Sequence, residues 1–252
     1  MPQKIRLFLV RHAVSEANLD KTVNARKPDF KVDLAPVGPS QAEEAGRALA
    51  EEFLFSQPTR VRLLCSPYER TRQTAVSLIK GLRVSMKSSN FDALHLDYRE
   101  ELSLREISFG LFDGIPDDEL PDRFPLEYTH YKKYVDFEGE FYAPMPMGES
   151  RAQVADRVKS SFGTILRDCR REIDPIQNFI IVSHGCTLRA FIMQWCHWAP
   201  EWIETEPNPK NASISVIESN GQCPYTTFKL FDGFAKTDDA QAVREDDGIK
   251  KK

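Results

Sequence analysis

The chain has 252 residues, with 34 Lys and Arg against 38 Asp and Glu and a formal net charge of −4. That length suits an α/β fold with a substantial buried core, and one large domain is the better reading than two small ones. The charge balance leaves no basic excess for nucleic acid or an anionic membrane, and no apolar stretch approaches the ~20 residues of a membrane span. Met1-Pro2-Gln3-Lys4 leads into an apolar run rather than a secretory h-region, so a soluble, cytoplasmic chain is expected. The five cysteines, Cys65, Cys169, Cys186, Cys196 and Cys223, are odd in number and lack CxxC spacing, which argues against a disulfide framework or a zinc site. Cys65 and Cys186 read as small core residues.

The run Ile5–Val10 predicts a strand, and Ser40–Phe53 a helix with Ala42, Ala45, Leu49 and Phe53 on one face and Pro39 just before it. Val61–Cys65 reads as a second strand and Tyr68–Ile79 as the helix behind it, closed by Gly81 and followed by a short strand over Arg83–Met86. From Phe112 to Met147 the pattern turns to Pro, Asp, Glu and aromatic residues, notably Tyr128, Tyr131, Tyr134, Phe137, Phe141 and Tyr142, and reads as an insertion. Ser150 with Gln153 three residues on is a capping signal for a helix over Arg151–Arg171, its inner face carrying Ala155, Val158, Phe162, Ile165 and Leu166. A strand over Phe179–Val182, a helix over Leu188–Trp195, and edge strands over Ile214–Ile217 and Thr226–Leu230 follow.

This βαβα order predicts an α/β three-layer sandwich with a mostly parallel central sheet, helices on both faces, and a cap insertion over 113–147. Residues 1–235 make the expected single domain; the charged, aperiodic 236–252 read as a disordered tail. Two of the strands end alike. Leu7-Phe8-Leu9-Val10 runs into Arg11-His12, and Phe179-Ile180-Ile181-Val182 runs into Ser183-His184-Gly185. Buried parallel strands that each deliver a histidine at the C-terminal end open onto one crevice, which would make the histidines neighbours.

Arg11-His12 with Ser15 and Asn18 at fixed offsets, and the distant Ser183-His184-Gly185, resemble the histidine phosphatase superfamily of branch 1 type, which includes the cofactor-dependent phosphoglycerate mutases. The segments Leu34–Ala42, Ser66–Ala75, Leu104–Gly110 and Gly148-Glu149-Ser150 are similar to further landmarks of that family, in the family's order, over about Ile5 to Glu218. The resemblance implies phosphate-monoester chemistry through a phosphohistidine intermediate on His12. The second ring nitrogen would then carry a proton held by an acceptor such as a backbone carbonyl. Arg11 and Arg70 would grip phosphoryl oxygens, His184 would donate to the same group, and Asn18 and Ser15 would add neutral donors at the rim. Glu106 takes the place of the family's acid, and its apolar flank, Leu104, Ile107 and Phe109, would favour the neutral carboxyl. There is no Walker-type loop and no spaced His/Asp/Glu cluster, so no metal requirement is expected.

Taken singly, each residue has an ordinary explanation: a histidine after a strand as a hydrogen-bonded structural group, Arg70 as a solvated helix charge, Glu106 as an exposed loop carboxylate. Their joint occurrence reverses that reading for these positions, whereas His95, His130 and His197 lie in no motif and keep it. Asn211-Ala212-Ser213 has the form of a glycosylation sequon, expected to be unused.

The chain departs from the family pattern at Ala13 and Val14, the latter removing a polar group from the mouth of the site, and at Ile107 and Phe109, where mutases place cation and phenol. Lys132, Lys133, Arg26, Lys27 and Arg105 are the candidates to replace the missing cation. Three readings follow. The favoured one is a metal-independent phosphomonoesterase acting on a small phosphorylated metabolite or a phosphopeptide and releasing inorganic phosphate. The second is a phosphoglycerate mutase, which alone would need 2,3-bisphosphoglycerate as cofactor; the third is a weakly active member that binds phosphorylated ligands or partners, hinted at by Val14. No nucleic-acid or membrane partner is expected, and a homodimer is left open.

Overall fold

A computed structural model describes residues 5–53, 60–86, 91–92, 94–219 and 226–235. Its strands, β1 (Ile5–Arg11), β2 (Arg60–Cys65), β3 (His95–Glu100), β4 (Asn178–Ser183), β5 (Ile214–Ser219) and β6 (Thr226–Phe231), form one six-stranded sheet in the order β3-β2-β4-β1-β5-β6. The pairings among β1, β2, β3 and β4 are parallel, whereas β5 pairs antiparallel with β1 and with β6, so the sheet is mixed but mostly parallel, as expected.

Side chains alternate between the sheet's faces, and each face is covered by its own helices. Phe8, Val10, Leu63, Ile180 and Val182 pack against helices α2 (Gly38–Glu51) and α3 (Glu69–Ser85). On the opposite face Leu7, Leu9, Leu64, Phe179 and Ile181 meet two later helices. The remaining helices are α1 (Glu16–Leu19), α4 (Leu120–Arg123), α5 (Pro125–Glu138), α6 (Arg151–Cys169), α7 (Gly185–Trp195) and α8 (Pro200–Thr205), of which α6 and α7 are the covering pair. β4 is buried along its whole length, as a central strand covered on both faces must be. The Ser150–Gln153 cap is present: Gln153 N–H donates to Ser150 Oγ at 3.2 Å and Ser150 N–H to Gln153 Oε1 at 2.8 Å.

Several expectations are corrected. Helix α3 runs on to Ser85, so the strand expected over Arg83–Met86 does not form and Gly81 lies inside the helix. A Cβ at Gly81 would sit 2.0 Å from Glu43 O, and one at Gly46 2.1 Å from Leu78 O: both glycines let α2 and α3 touch backbone to backbone. Strand β3 was not expected, since His95–Glu100 is polar and half exposed; it takes its order from parallel pairing to β2 at the sheet edge. β5 is no edge strand but lies between β1 and β6. Leu166, expected on the inner face of α6, is exposed.

In the insertion, Phe112 packs its ring against Phe124, Tyr128 and Tyr131, while α5 buries no residue. The described cysteines are all free thiols, Cys65 and Cys186 in the core; Cys223 and the tail 236–252 lie outside the described residues. No helix among the described residues is long and apolar enough to cross a membrane.

The close approach at Gly81 predicts that Gly81→Ala destabilises the protein despite alanine's better helix propensity, by about 1–3 kcal/mol as for an overpacked core site. Urea midpoints of the two proteins check this, and an unchanged or raised midpoint would contradict the contact.

Candidate active site

The parallel register pairs Arg11 with Ser183, so both strands release their histidines at the same C-terminal end of the sheet. The ring centroids of His12 and His184 lie 5.2 Å apart, edge to face. The ladder continues past the strand end, with His12 N–H donating to Ser183 O at 2.9 Å and Ser66 N–H to Val182 O at 3.0 Å. His12 Nδ1 lies 2.8 Å from Ala13 O. A carbonyl accepts only, so the proton belongs on Nδ1 and the lone pair on Nε2. Ser66 Oγ lies 2.8 Å from His184 Nε2. With the hydroxyl donating there, His184 carries its proton on Nδ1, a buried atom with no hydrogen-bond partner.

The backbone after His12 is pinned from several sides. Ala13 N–H donates to Thr74 Oγ1 and Val14 N–H to Gln41 Oε1, each at 3.1 Å. Asn211 Nδ2 donates to His12 O at 3.1 Å and to Asn18 Oδ1 at 3.0 Å. Ser15 donates its N–H and its hydroxyl to that same Asn18 oxygen, so its hydroxyl proton is engaged internally and Ser15 is no rim donor. Val14 is fully buried with Ala13, so it lies in the core rather than at the mouth of the site. The hint of weakened activity drawn from it loses its structural ground.

Arg11 donates through NH1 to Pro209 O, and its buried Nε has no partner. Arg70 is buried and gripped by Asp29: NH1 donates to Asp29 Oδ1 at 2.8 Å and to its carbonyl at 2.7 Å, NH2 to Oδ2 at 3.2 Å. The Arg70 guanidinium also lies 5.1 Å from the Tyr68 ring centre, and the Tyr68 ring meets His184 at 5.0 Å. Burial is the main force holding the pKa of both histidines well below 6.5, followed by the positive charge of Arg70; Arg11 adds to it at both. Burial also lowers the Arg11 pKa, with Glu106 opposing it. On a chain of net charge −4 the crevice is therefore locally positive and its imidazoles neutral.

Glu106 is partly buried at the N-terminus of α7, where Oε1 accepts from Thr187 N–H at 3.3 Å, Thr187 Oγ1 at 3.1 Å and Ile107 N–H at 3.0 Å. Oε2 takes no hydrogen bond among the described residues. Of the expected apolar flank, Leu104 and Ile107 are buried and Phe109 is partly exposed. Glu149, from the Gly148-Glu149-Ser150 motif, braces this loop by accepting from Ser108 N–H, Arg105 and Arg157. Arg157 in turn donates to the carbonyl oxygens of Ser103 and Glu106.

His12, Arg11, Arg70, Asn18 and His184 thus converge, with Glu106 electrostatically coupled to Arg11. The other proposed cations are engaged elsewhere: Arg26 with Asp20, Lys27 with Glu16 and Asp33, Arg105 with Glu149, and Lys132 and Lys133 line a surface hollow on α5. Asp29, Asn211, Thr187 and Tyr68 were missed as site residues. Asn211 was not assigned a place in the site, and its burial with Ala212 and Ser213 supports the unused reading of the sequon. Among the described residues no group of three His, Cys, Asp or Glu side chains could hold a metal ion.

Fold and crevice together define an α/β protein with buried histidines and arginines gathered at the C-terminal ends of its parallel strands. The chain belongs to the histidine phosphatase superfamily (branch 1), whose family model matches residues 7–228. It is 38% identical over 222 residues to the phosphoglycerate mutase-like protein AT74 of Arabidopsis thaliana, a match covering 84% of this chain and 64% of that protein, a little under two thirds of its length. It is 25% identical over 292 residues to the broad-range acid phosphatase DET1 of Saccharomyces cerevisiae, covering 84% of each. Among solved structures it resembles a mycobacterial glucosyl-3-phosphoglycerate phosphatase in complex with inorganic phosphate, at TM-score 0.63 and 18% identity over 92% of this chain and 99% of that one. Its relatives are named as phosphatases, as phosphoglycerate mutase-like proteins and as phosphoglycerate mutases.

The buried histidines make stability depend on pH with a defined sign. The unfolded chain binds protons on these rings below about 6.5, whereas the folded chain does not, so stability falls as pH drops through that value. Each ring contributes up to about 1.4 kcal/mol per pH unit between its unfolded and folded pKa. Urea unfolding from neutral to mildly acidic pH should therefore give a shallower pH slope for His184→Asn than for wild type; equal slopes would rule out a neutral buried His184.

Proposed function

We propose that the protein is a metal-independent phosphomonoesterase working through a phosphohistidine on His12. What supports it is a pair of buried donors without partners, Arg11 Nε and His184 Nδ1, on residues whose charge and ring act on or lie against His12, a ring whose own Nδ1 is tied to Ala13 O. Buried donors are nearly always satisfied in folded proteins, and an anion between the two rings would satisfy both.

In this reading His12 Nε2 attacks phosphorus, the P–N bond forms, and the P–O bond to the leaving group breaks. Glu106, entering as the neutral acid, gives its proton to the departing alkoxide. Water then attacks the phosphohistidine, passes a proton to the Glu106 carboxylate, and phosphate leaves as the P–N bond breaks. Arg11 and Arg70 hold the phosphoryl oxygens, with His184 Nδ1–H and Asn18 completing the set. Thr187 and the α7 N-terminus orient Glu106 through Oε1 and leave Oε2 for the proton transfer. The segment 113–147 acts as the cap of one domain spanning 1–235. Hydrolysis is favoured over mutase chemistry because Arg26, Lys27 and Arg105 are all paired with carboxylates, leaving few cations for a second anionic end.

Phosphate release from p-nitrophenyl phosphate is expected to survive a chelator and to fall by about 10³-fold or more in His12→Ala, as for loss of a covalent nucleophile. Turnover abolished by chelator, or undiminished in His12→Ala, would overturn the reading. Conversion of 3-phosphoglycerate to its 2-isomer without phosphate release would restore the mutase.

A further inference from the structure

Beside the histidine crevice lies a cavity of about 180 Å³, between the segment after Glu106 and the turn that follows α1. Its walls are apolar at Ala17, Phe109 and Phe112 and polar at Lys21, Asn24 and Asp113. Chain and charge tie its lining to the reacting centre. Ala17 precedes Asn18, Phe109 follows Glu106 by three residues, and Asp113 is near enough to Asp29 and Arg70 for both charges to act on its carboxyl.

The polar wall is built mainly of acceptors. Asn24 Nδ2 donates to Asp113 Oδ1 at 2.8 Å, which fixes the amide with its oxygen on the other side. That oxygen, Asn24 Oδ1, is buried and has no partner. Asp113 adds a carboxylate, and the nearby ammonium of Lys21 is drawn toward Asp117 at 3.9 Å. A ligand that answered these groups would bring donors to Asn24 and Asp113 and lay a hydrocarbon face on Phe109 and Phe112. A carboxylate placed there would face Asp113 with like charge.

We propose that this cavity holds the leaving group of the phosphate monoester and selects neutral hydroxylated groups, of the polyol or sugar class, over groups bearing a carboxylate. This rests on the phosphomonoesterase reading. A substrate so bound spans a gradient, its phosphoryl end among Arg11, Arg70 and the histidines and its organic end against acceptors. Asn24 and Asp113 then discriminate on both counts, rewarding hydroxyl donors and repelling a second anion.

Glycerol 3-phosphate and 3-phosphoglycerate form a matched pair that differs at one carbon, hydroxymethyl against carboxylate. The expected ratio of their kcat/KM values near neutral pH is about tenfold or more in favour of glycerol 3-phosphate, the scale of one like-charge contact. Asp113→Asn, which keeps the shape and removes the charge, is expected to shrink that ratio by about threefold or more. Because the ratio is taken within each protein, partial loss of folded enzyme does not move it. A wild-type ratio at or below one, or a ratio unchanged in Asp113→Asn, overturns the proposal while leaving the parent reading intact. Failure of the parent reading shows separately, as absence of His12-dependent turnover of p-nitrophenyl phosphate.

Discussion

The site depends on the parallel pairing of β1 with β4. Parallel neighbours finish at the same end of a sheet, so two strands far apart in sequence deliver their terminal residues side by side. The side-chain period of a strand is two, and a slip of one residue would turn every inward side chain outward. Here both strands are packed on both faces, with Phe8 and Val10 on one side and Leu7 and Leu9 on the other. Register is therefore fixed by the whole core. The position of His12 relative to His184 follows from the burial of residues that do no chemistry.

Placing two guanidinium groups and two imidazoles in so small a space is unfavourable by itself, because like charges repel and burial penalises the charged forms. The protein meets this in two ways. The imidazoles stay neutral, which suits a nucleophile that needs a lone pair. The arginines keep their charge and are answered by oxygen: Arg11 by Pro209 O, Arg70 by Asp29, with Glu106 acting on Arg11 through space. Donor directions are thus set before any ligand arrives, which is the condition for stabilising developing charge without reorganisation.

The strand and helix pattern was legible wherever burial imposed a period. β1, β4 and α6 stand within a few residues of where the apolar spacing put them. The misses have physical causes. β3 carries almost no burial signal because its partner lies on one side only, and pairing to β2 supplies what its residues do not. Gly81 reads as a stop signal in one dimension, and only the neighbouring helix turns it into a packing contact. The paired histidines, Arg11, Arg70 and Glu106 were visible as strand ends and motif positions. The roles of Asp29 and Asn211 in the site were not, since their contacts with Arg70 and with His12 bridge 41 and 199 positions. Val14 shows the reverse error: a departure that looks functional in sequence is a core side chain in space.

Asp29 also bears on what the crevice can release. Two arginines stand here against Asp29, both imidazoles are neutral, and in the proposed reaction Glu106 holds a proton both on entry and when phosphate leaves, so Asp29 reduces the positive charge of the crevice without abolishing it. A site with two free arginines would hold inorganic phosphate strongly through net charge, and the proposed hydrolase must let that product go. With Asp29 gripping Arg70, more of the attraction for an anion falls to unpartnered donors, Arg11 Nε and His184 Nδ1 among them. Such donors act over hydrogen-bond distance and reward the geometry in which the phosphoryl group is transferred. Long-range charge would reward substrate and product alike, and uniform binding of that kind does not lower the barrier.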